Sequence, residues 1–311
     1  MARFRSIGLT AACGVLAGTM PWAELALGQT ARPAGAATFA QHRQLCAGKD
    51  GWSDPAPPLR LFANVYDVGT CGIVVLLVTG PKGHVLIDAA TADAVPSIVA
   101  NIERLGVRPT DIRLMLSSHE HFDHVGGMQA LQRRTGARVL ASAAARATLE
   151  TGIAATDDPQ KAILDPFATV RVDGVVRDGE VVSVGPLRLT AHTTPGHAPG
   201  STSWSWRSCA GATCHAMVYA DSVRATASDR YRFSDHPDYV AAFRASLAKI
   251  ARLPCDLIVT PHPSASHLYE RLAGAAPLSD RAACVTYAAE HRALLDKKLA
   301  NETKGTPHRG G

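Results

Sequence analysis

Ser118-His119-Glu120-His121-Phe122-Asp123-His124-Val125-Gly126-Gly127 puts four potential metal ligands into six residues: His119, His121, Asp123 and His124. The run follows Ile112 to Leu116, a short apolar stretch that stops at Ser117-Ser118 as a buried strand does. Alternate residues of an extended segment point the same way, so His119 and His121 can face one cation. Asp123 and His124 come next, where the chain bends into a helix, and can face a second. Imidazole with a single carboxylate suits zinc. Two later histidines also follow apolar strand-like runs: His197 in Thr194-Pro195-Gly196-His197 and His262 in Thr260-Pro261-His262-Pro263. Loops after strands are where layered α/β folds carry their site residues. His42, His84, His192, His215, His236, His267, His291 and His308 stand alone and read as ordinary packing or surface residues.

Outward from this segment, short apolar runs alternate with helical periods. Leu61 to Val68, Gly72 to Val78 and His84 to Ile87 read as strands bounded by Gly and Pro turns. Val95 to Leu105 carries Ile98, Val99, Ile102 and Leu105 at helical spacing, and Gly126 to Arg134 reads as a further helix. Val139-Leu140 is a short strand, Val175 to Thr190 a hairpin turning near Gly185-Pro186, and Ser203 to Trp206 and Ala216 to Ala220 two more strands. Tyr239 to Leu253 is helical, Leu257 to Val259 is a buried strand, and Ser279 to Glu302 is a long helix with Ser279 as its N-cap. Strands mixed with helices in both halves predict one layered α/β domain over 59–311, preceded by a loosely packed Ala/Pro/Gly-rich arm over 29–58.

Apolar residues make up 46% of the 311, and charged residues 19%, which excludes a disordered or coiled-coil chain. The net charge of +5 is spread without a basic block, so no nucleic-acid partner is expected. Arg3 and Arg5, the apolar Ile7 to Ala17 and the small-residue end Ala26-Leu27-Gly28 predict a signal peptide over 1–28. The mature chain is then exported, with no membrane segment. Beyond that segment lie Cys46, Cys71, Cys209, Cys214, Cys255 and Cys284. An even number in an oxidising compartment favours disulfides, and proximity singles out only Cys209 with Cys214 among about 15 pairings.

The segment His119 to His124 resembles the H-x-H-x-D-H element of the metallo-β-lactamase fold superfamily. More narrowly, the chain is similar to the third subclass of class B metallo-β-lactamases. Val68-Gly69-Thr70-Cys71-Gly72, Pro199-Gly200-Ser201-Thr202-Ser203-Trp204, Tyr219-Ala220-Asp221-Ser222 and Thr260-Pro261-His262-Pro263 carry that likeness. The resemblance implies a four-layer αβ/βα sandwich, two mixed sheets flanked by helices, with two zinc ions at one edge. His119, His121 and His197 would hold the first ion, and Asp123, His124 and His262 the second. It further implies the pairs Cys46–Cys71, Cys209–Cys214 and Cys255–Cys284. The implied activity is hydrolysis of penicillins, cephalosporins and carbapenems by a monomeric periplasmic enzyme, through metal-activated water oriented by Asp123. No G-x-S-x-G element marks a serine nucleophile.

Ser222 is expected to support the site by hydrogen bonding, and Gln160 to touch substrate. Two positions depart from the family: Ala198 stands where threonine is usual, and Arg224 where a small hydroxyl residue helps hold the substrate carboxylate. Arg224 is expected to take over that task. Two other functions compete. A hydrolase of the same fold acting on a thioester, lactone or phosphodiester would bridge its metals with Asp221. A non-enzymatic zinc-binding protein would close its coordination sphere, whereas three ligands per ion leave positions open.

Overall fold

The computed structural model describes residues 1–2 and 35–304. The signal peptide expected over 1–28 lies outside the described residues except for the first two, as does His308. Strands β1 (Leu59–Phe62), β2 (Val65–Asp67), β3 (Leu76–Val78), β4 (His84–Ile87), β5 (Ile112–Leu116), β6 (Arg138–Ser142) and β7 (Gly174–Val176) form one sheet in that spatial order. Its first half is antiparallel, and β4, β5, β6 and β7 run parallel. A second sheet has the order β12-β11-β10-β9-β8, from β8 (Val181–Val184), β9 (Leu187–Thr193), β10 (Thr202–Ala210), β11 (Thr213–Tyr219) and β12 (Leu257–Val259).

Strand alternation sorts the apolar side chains into three layers of core. Leu76, Val78, Val85 and Ile87 point between the sheets, where they meet Trp204, Met217, Tyr219 and Val259. The intervening Leu77, Leu86 and Met115 point outward, onto α2 (Val95–Arg104), α4 (Met128–Thr135) and α5 (Ala143–Thr151). On the opposite side, Val218 and Ile258 pack against α6 (Pro237–Ile250) and α8 (Ala283–Lys304). Helix, sheet, sheet, helix is the expected four-layer sandwich. Strands covered on both faces have no polar face to show, which is why Leu76–Val78 and Leu257–Val259 are apolar throughout.

Several expectations change in detail. The run Leu61 to Val68 is two strands, because the chain turns at Ala63, whose φ is +46°. The hairpin turning at Gly185-Pro186 is β8–β9, but Gly174–Val176 leaves it to pair with β6 in the other sheet. The described part of the arm, from residue 35, is not loose: α1 (Phe39–Leu45) opens with a Thr38–Gln41 capping box, buries His42, and is tied to the turn before β3 by Cys46–Cys71. Helix α8 begins at Ala283 instead of Ser279, since Asp280 is bonded to the Asp256 carbonyl and caps Ala282. The sequence reading assigned no structure to α5, nor to the short α7 (Leu268–Leu272). The remaining disulfides are Cys209–Cys214 and Cys255–Cys284, the pairing that the resemblance implies. Among the described residues no helix is long and apolar enough to cross a membrane.

Candidate metal centre

The C-terminal ends of β5, β9 and β12 lie at one edge of the sandwich, and each feeds a loop carrying ligand-type side chains. After β5 the chain bends through Ser118 and Glu120 and reaches His121 in extended backbone. It then makes the single turn α3 (Phe122–Val125), whose His124 and Val125 amides both donate to the His121 carbonyl at 2.9 Å. Gly127 lets this turn press onto the backbone after β4: a Cβ there would lie 2.5 Å from the Ala89 carbonyl oxygen. The result is a buried cluster of imidazoles and carboxylates. His119, His121 and His197 offer ligand atoms within 4.8 Å of one another, and so do His119, Asp123 and His124. His262 joins the second group, its Nε2 lying 3.3 Å from His124 Nε2 and 3.4 Å from Asp123 Oδ2.

Three of these imidazoles have one nitrogen hydrogen-bonded away from the centre. His119 Nδ1 lies 2.8 Å from Asp221 Oδ1, His121 Nε2 lies 2.9 Å from Asp158 Oδ2, and His197 Nδ1 lies 3.0 Å from the Arg224 carbonyl. Such partners fix which nitrogen carries the proton and leave the other free as a ligand. His124 Nδ1 lies 3.5 Å from Asp88 Oδ2 without a hydrogen bond. His119 Nε2, the atom left over, is buried without a hydrogen-bond partner. An orphaned buried nitrogen facing other donors is what a cation site requires and what a hydrogen-bonded core avoids.

Charge points the same way. Asp88, Glu120, Asp123, Asp158 and Asp221 are all buried around the imidazoles. Among the described residues the buried guanidinium, that of Arg271, is spent on the carbonyls of Ile258, Ser266, Pro277 and Leu278. Burial pushes Glu120 up to about 7 and Asp221 well above the usual carboxylate range. Burial also holds His119 and His197 well below the ordinary imidazole value. Asp123 goes the other way: against its own burial, His124 and His262 keep it well below the usual carboxylate range. His124 is pushed up to about 10, against its own burial, by Asp123 and Asp88. Buried carboxylates and imidazoles that rely on one another for charge compensation fit a pair of divalent cations in donor chemistry.

His121, Asp123, His197 and His262 floor a cleft of about 400 Å³ walled by Trp52, Phe122, Gln160, Ile163, Leu164 and Arg224, with His119 and His124 buried beneath. Gln160 is buried, with Nε2 3.3 Å from His197 Nε2. Arg224 is exposed and lines the cleft, and its carbonyl serves His197. Ser222 is buried next to Asp221, its hydroxyl without a partner, and is not part of the cleft wall. Sequence reasoning missed Asp158, Asp88 and Trp52, isolated residues in loops that carry no spacing signal. The S-x-x-K run Ser246-Leu247-Ala248-Lys249 is structural: Ser246 Oγ donates to the Pro195 carbonyl and Lys249 Nζ to that of Thr193.

Comparison with known proteins agrees with this geometry. The model of the metallo-beta-lactamase superfamily matches residues 68–262. The chain is similar to the metallo-β-lactamase MIM-1 from Novosphingobium pentaromativorans, with 48% identity over 85% of this chain and 98% of that one and a TM-score of 0.83. It is also similar to MEM-A1, a subclass B3 metallo-β-lactamase isolated from a soil metagenome library, at 41% identity, 82% and 99% coverage and a TM-score of 0.78. A hydroxyacylglutathione hydrolase from Methylobacterium nodulans is 39% identical over 119 residues, 38% of this chain and 36% of that protein, so the chain spans about a third of that curated relative. With the family match covering every ligand from the β5 loop to His262, the chain belongs to the metallo-β-lactamase superfamily and, within it, to the third subclass of class B.

Proposed function

We propose that the chain is an exported, zinc-dependent β-lactamase acting in the periplasm on penicillins, cephalosporins and carbapenems. His119, His121 and His197 would hold one zinc ion and Asp123, His124 and His262 the other. The carrying observation is the convergence of these six side chains into adjoining donor groups, four of which (His121, Asp123, His197 and His262) line one cleft, with the buried His119 Nε2 unpartnered behind them. When bound, a zinc pair supplies Lewis acidity that brings water activation towards neutral pH and stabilises the charge that develops as the lactam amide breaks. Asp123, kept ionised by its two imidazole neighbours, acts purely as an acceptor and orients the attacking water. Gln160 donates its amide N–H to the substrate, and Arg224 binds the substrate carboxylate at the rim. The enzyme works as a monomer, and its three disulfides suit an oxidising compartment.

The hydroxyacylglutathione hydrolases among the relatives keep a thioester substrate as the second reading. Asp221 favours the first. Its Oδ1 is bound to His119 Nδ1, behind the ring, an arrangement suited to orienting a ligand and not to bridging two ions. Hydrolysis of nitrocefin and a carbapenem that a chelator abolishes and zinc restores is the expected result. Turnover of a lactoyl thioester, with neither lactam cleaved, would overturn the β-lactamase reading.

A further inference from the structure

Glu120 lies between two of the proposed ligands and has no part in the chemistry above. Its side chain is buried, and Oε1 accepts a 2.7 Å hydrogen bond from the amide of Gly200. Gly200 ends the turn that begins at His197, and it is wedged in place: a Cβ there would lie 2.4–2.6 Å from Ala145. Its carbonyl accepts from Ser142 Oγ at 2.8 Å and from Thr202 Oγ1 at 3.1 Å. The Thr202 amide in turn donates to the Ser118 carbonyl at 2.6 Å. The β5 and β9 loops are thus stitched together twice, once through backbone at Ser118 and once through the Glu120 carboxylate.

We propose that Glu120 is a positioning residue, clamping the His197 loop onto the His119–His121 loop and so setting the spacing of the inner zinc position. The proposal rests on the dizinc reading. His119 and His121 flank Glu120 in the chain, and His197 lies three residues from its hydrogen-bond partner. Asp123, His124 and His262 have no such link to it, so loss of the clamp acts on one ion and spares the other.

The test is zinc competition against a chromophoric chelator, on the purified chain and its variants, read beside kcat and KM for nitrocefin. In Glu120→Ala one of two zinc equivalents weakens roughly 10–100-fold while the other keeps its affinity. Its kcat falls and KM holds, since substrate contacts at the rim are intact. Glu120→Gln keeps an acceptor for the Gly200 amide and restores both equivalents. Glu120→Asp, one methylene short, behaves as the alanine variant and decides the matter if that variant does not fold. Unchanged zinc binding in Glu120→Ala and Glu120→Asp, equal weakening of both equivalents, or a glutamine variant no better than alanine would each overturn the clamp. A wild-type chain that takes up fewer than two equivalents would instead overturn the dizinc reading.

Discussion

The two halves of the cluster are built from the same residue types but are set differently. The inner half, His119, His121 and His197, is fully buried, and each imidazole is held from behind by Asp221, Asp158 or the Arg224 carbonyl. The outer half differs at His262, whose side chain is 22% exposed and whose ring lies 6.2 Å from that of Trp52, while His124 is fully buried. Asp123 is held between two imidazoles that are themselves candidate ligands. Rigid support from behind favours affinity and a fixed geometry, whereas a ligand at the mouth can answer to substrate. On the proposed dizinc reading, the inner half is expected to bind its ion more tightly and the outer half to meet the substrate.

The largest effect should come from the outer carboxylate. Asp123→Ala removes both a ligand and the acceptor for water, and kcat/KM is expected to fall by roughly 10³-fold, about 4 kcal/mol of transition-state stabilisation. Metal content should drop to one equivalent. A variant that keeps two ions would place the division between the halves elsewhere. Next is support from behind: Asp158→Ala frees His121 Nε2, and the inner zinc should weaken roughly 10–100-fold in a chelator competition, with the outer ion unmoved. Arg224 both lines the cleft and supports the inner half, its carbonyl serving His197. Arg224→Ala should leave zinc binding intact and raise KM for a carbapenem roughly tenfold, the loss of one charge-assisted hydrogen bond. An unchanged KM would remove the guanidinium from substrate binding.

The smallest effect isolates what burial costs a carboxylate that lies outside the cluster. Asp67 in β2 accepts from the amides of Gly69 and Val75, yet Oδ2 has no partner, and burial pushes it up to about 7. A carboxyl raised in the folded state is bound to its proton there more tightly than in the unfolded chain. Its contribution is complete below the unfolded value and is lost as pH rises through about 7. Against Asp67→Asn, the melting temperature of the wild-type chain should therefore decline between about pH 4 and 7 and level off above. Parallel curves would show that Asp67 does not titrate in that window.

The sequence made the chemistry of the site far more legible than its scaffolding. His119 to His124 could be read because four ligand types in six residues have few other uses, and His197 and His262 because each follows an apolar run. Asp158 could not, since one acid in a loop has no periodicity and its role appears only when the chain folds back on His121. The strands were visible as apolar runs, but their sheet membership was not: Gly174–Val176 pairs with β6, a non-local choice that local pattern does not encode. The arm looked unstructured because α1 is only 7 residues long and draws its order from the Cys46–Cys71 tie and from His42 packing on Tyr269. The disulfide pairing followed from likeness to relatives, since spacing alone left all but one pair undecided.

The ligands hang from strands of two different sheets, β5 on one side and β9 and β12 on the other, with Trp204 and Tyr219 filling the gap between them. A slight slip of one layer over the other would part the donors by the same amount. Metal affinity therefore doubles as a strain gauge for the interior: a trimmed core side chain far from the cleft should loosen the cations while the chain is still folded, well before a melting curve registers the damage.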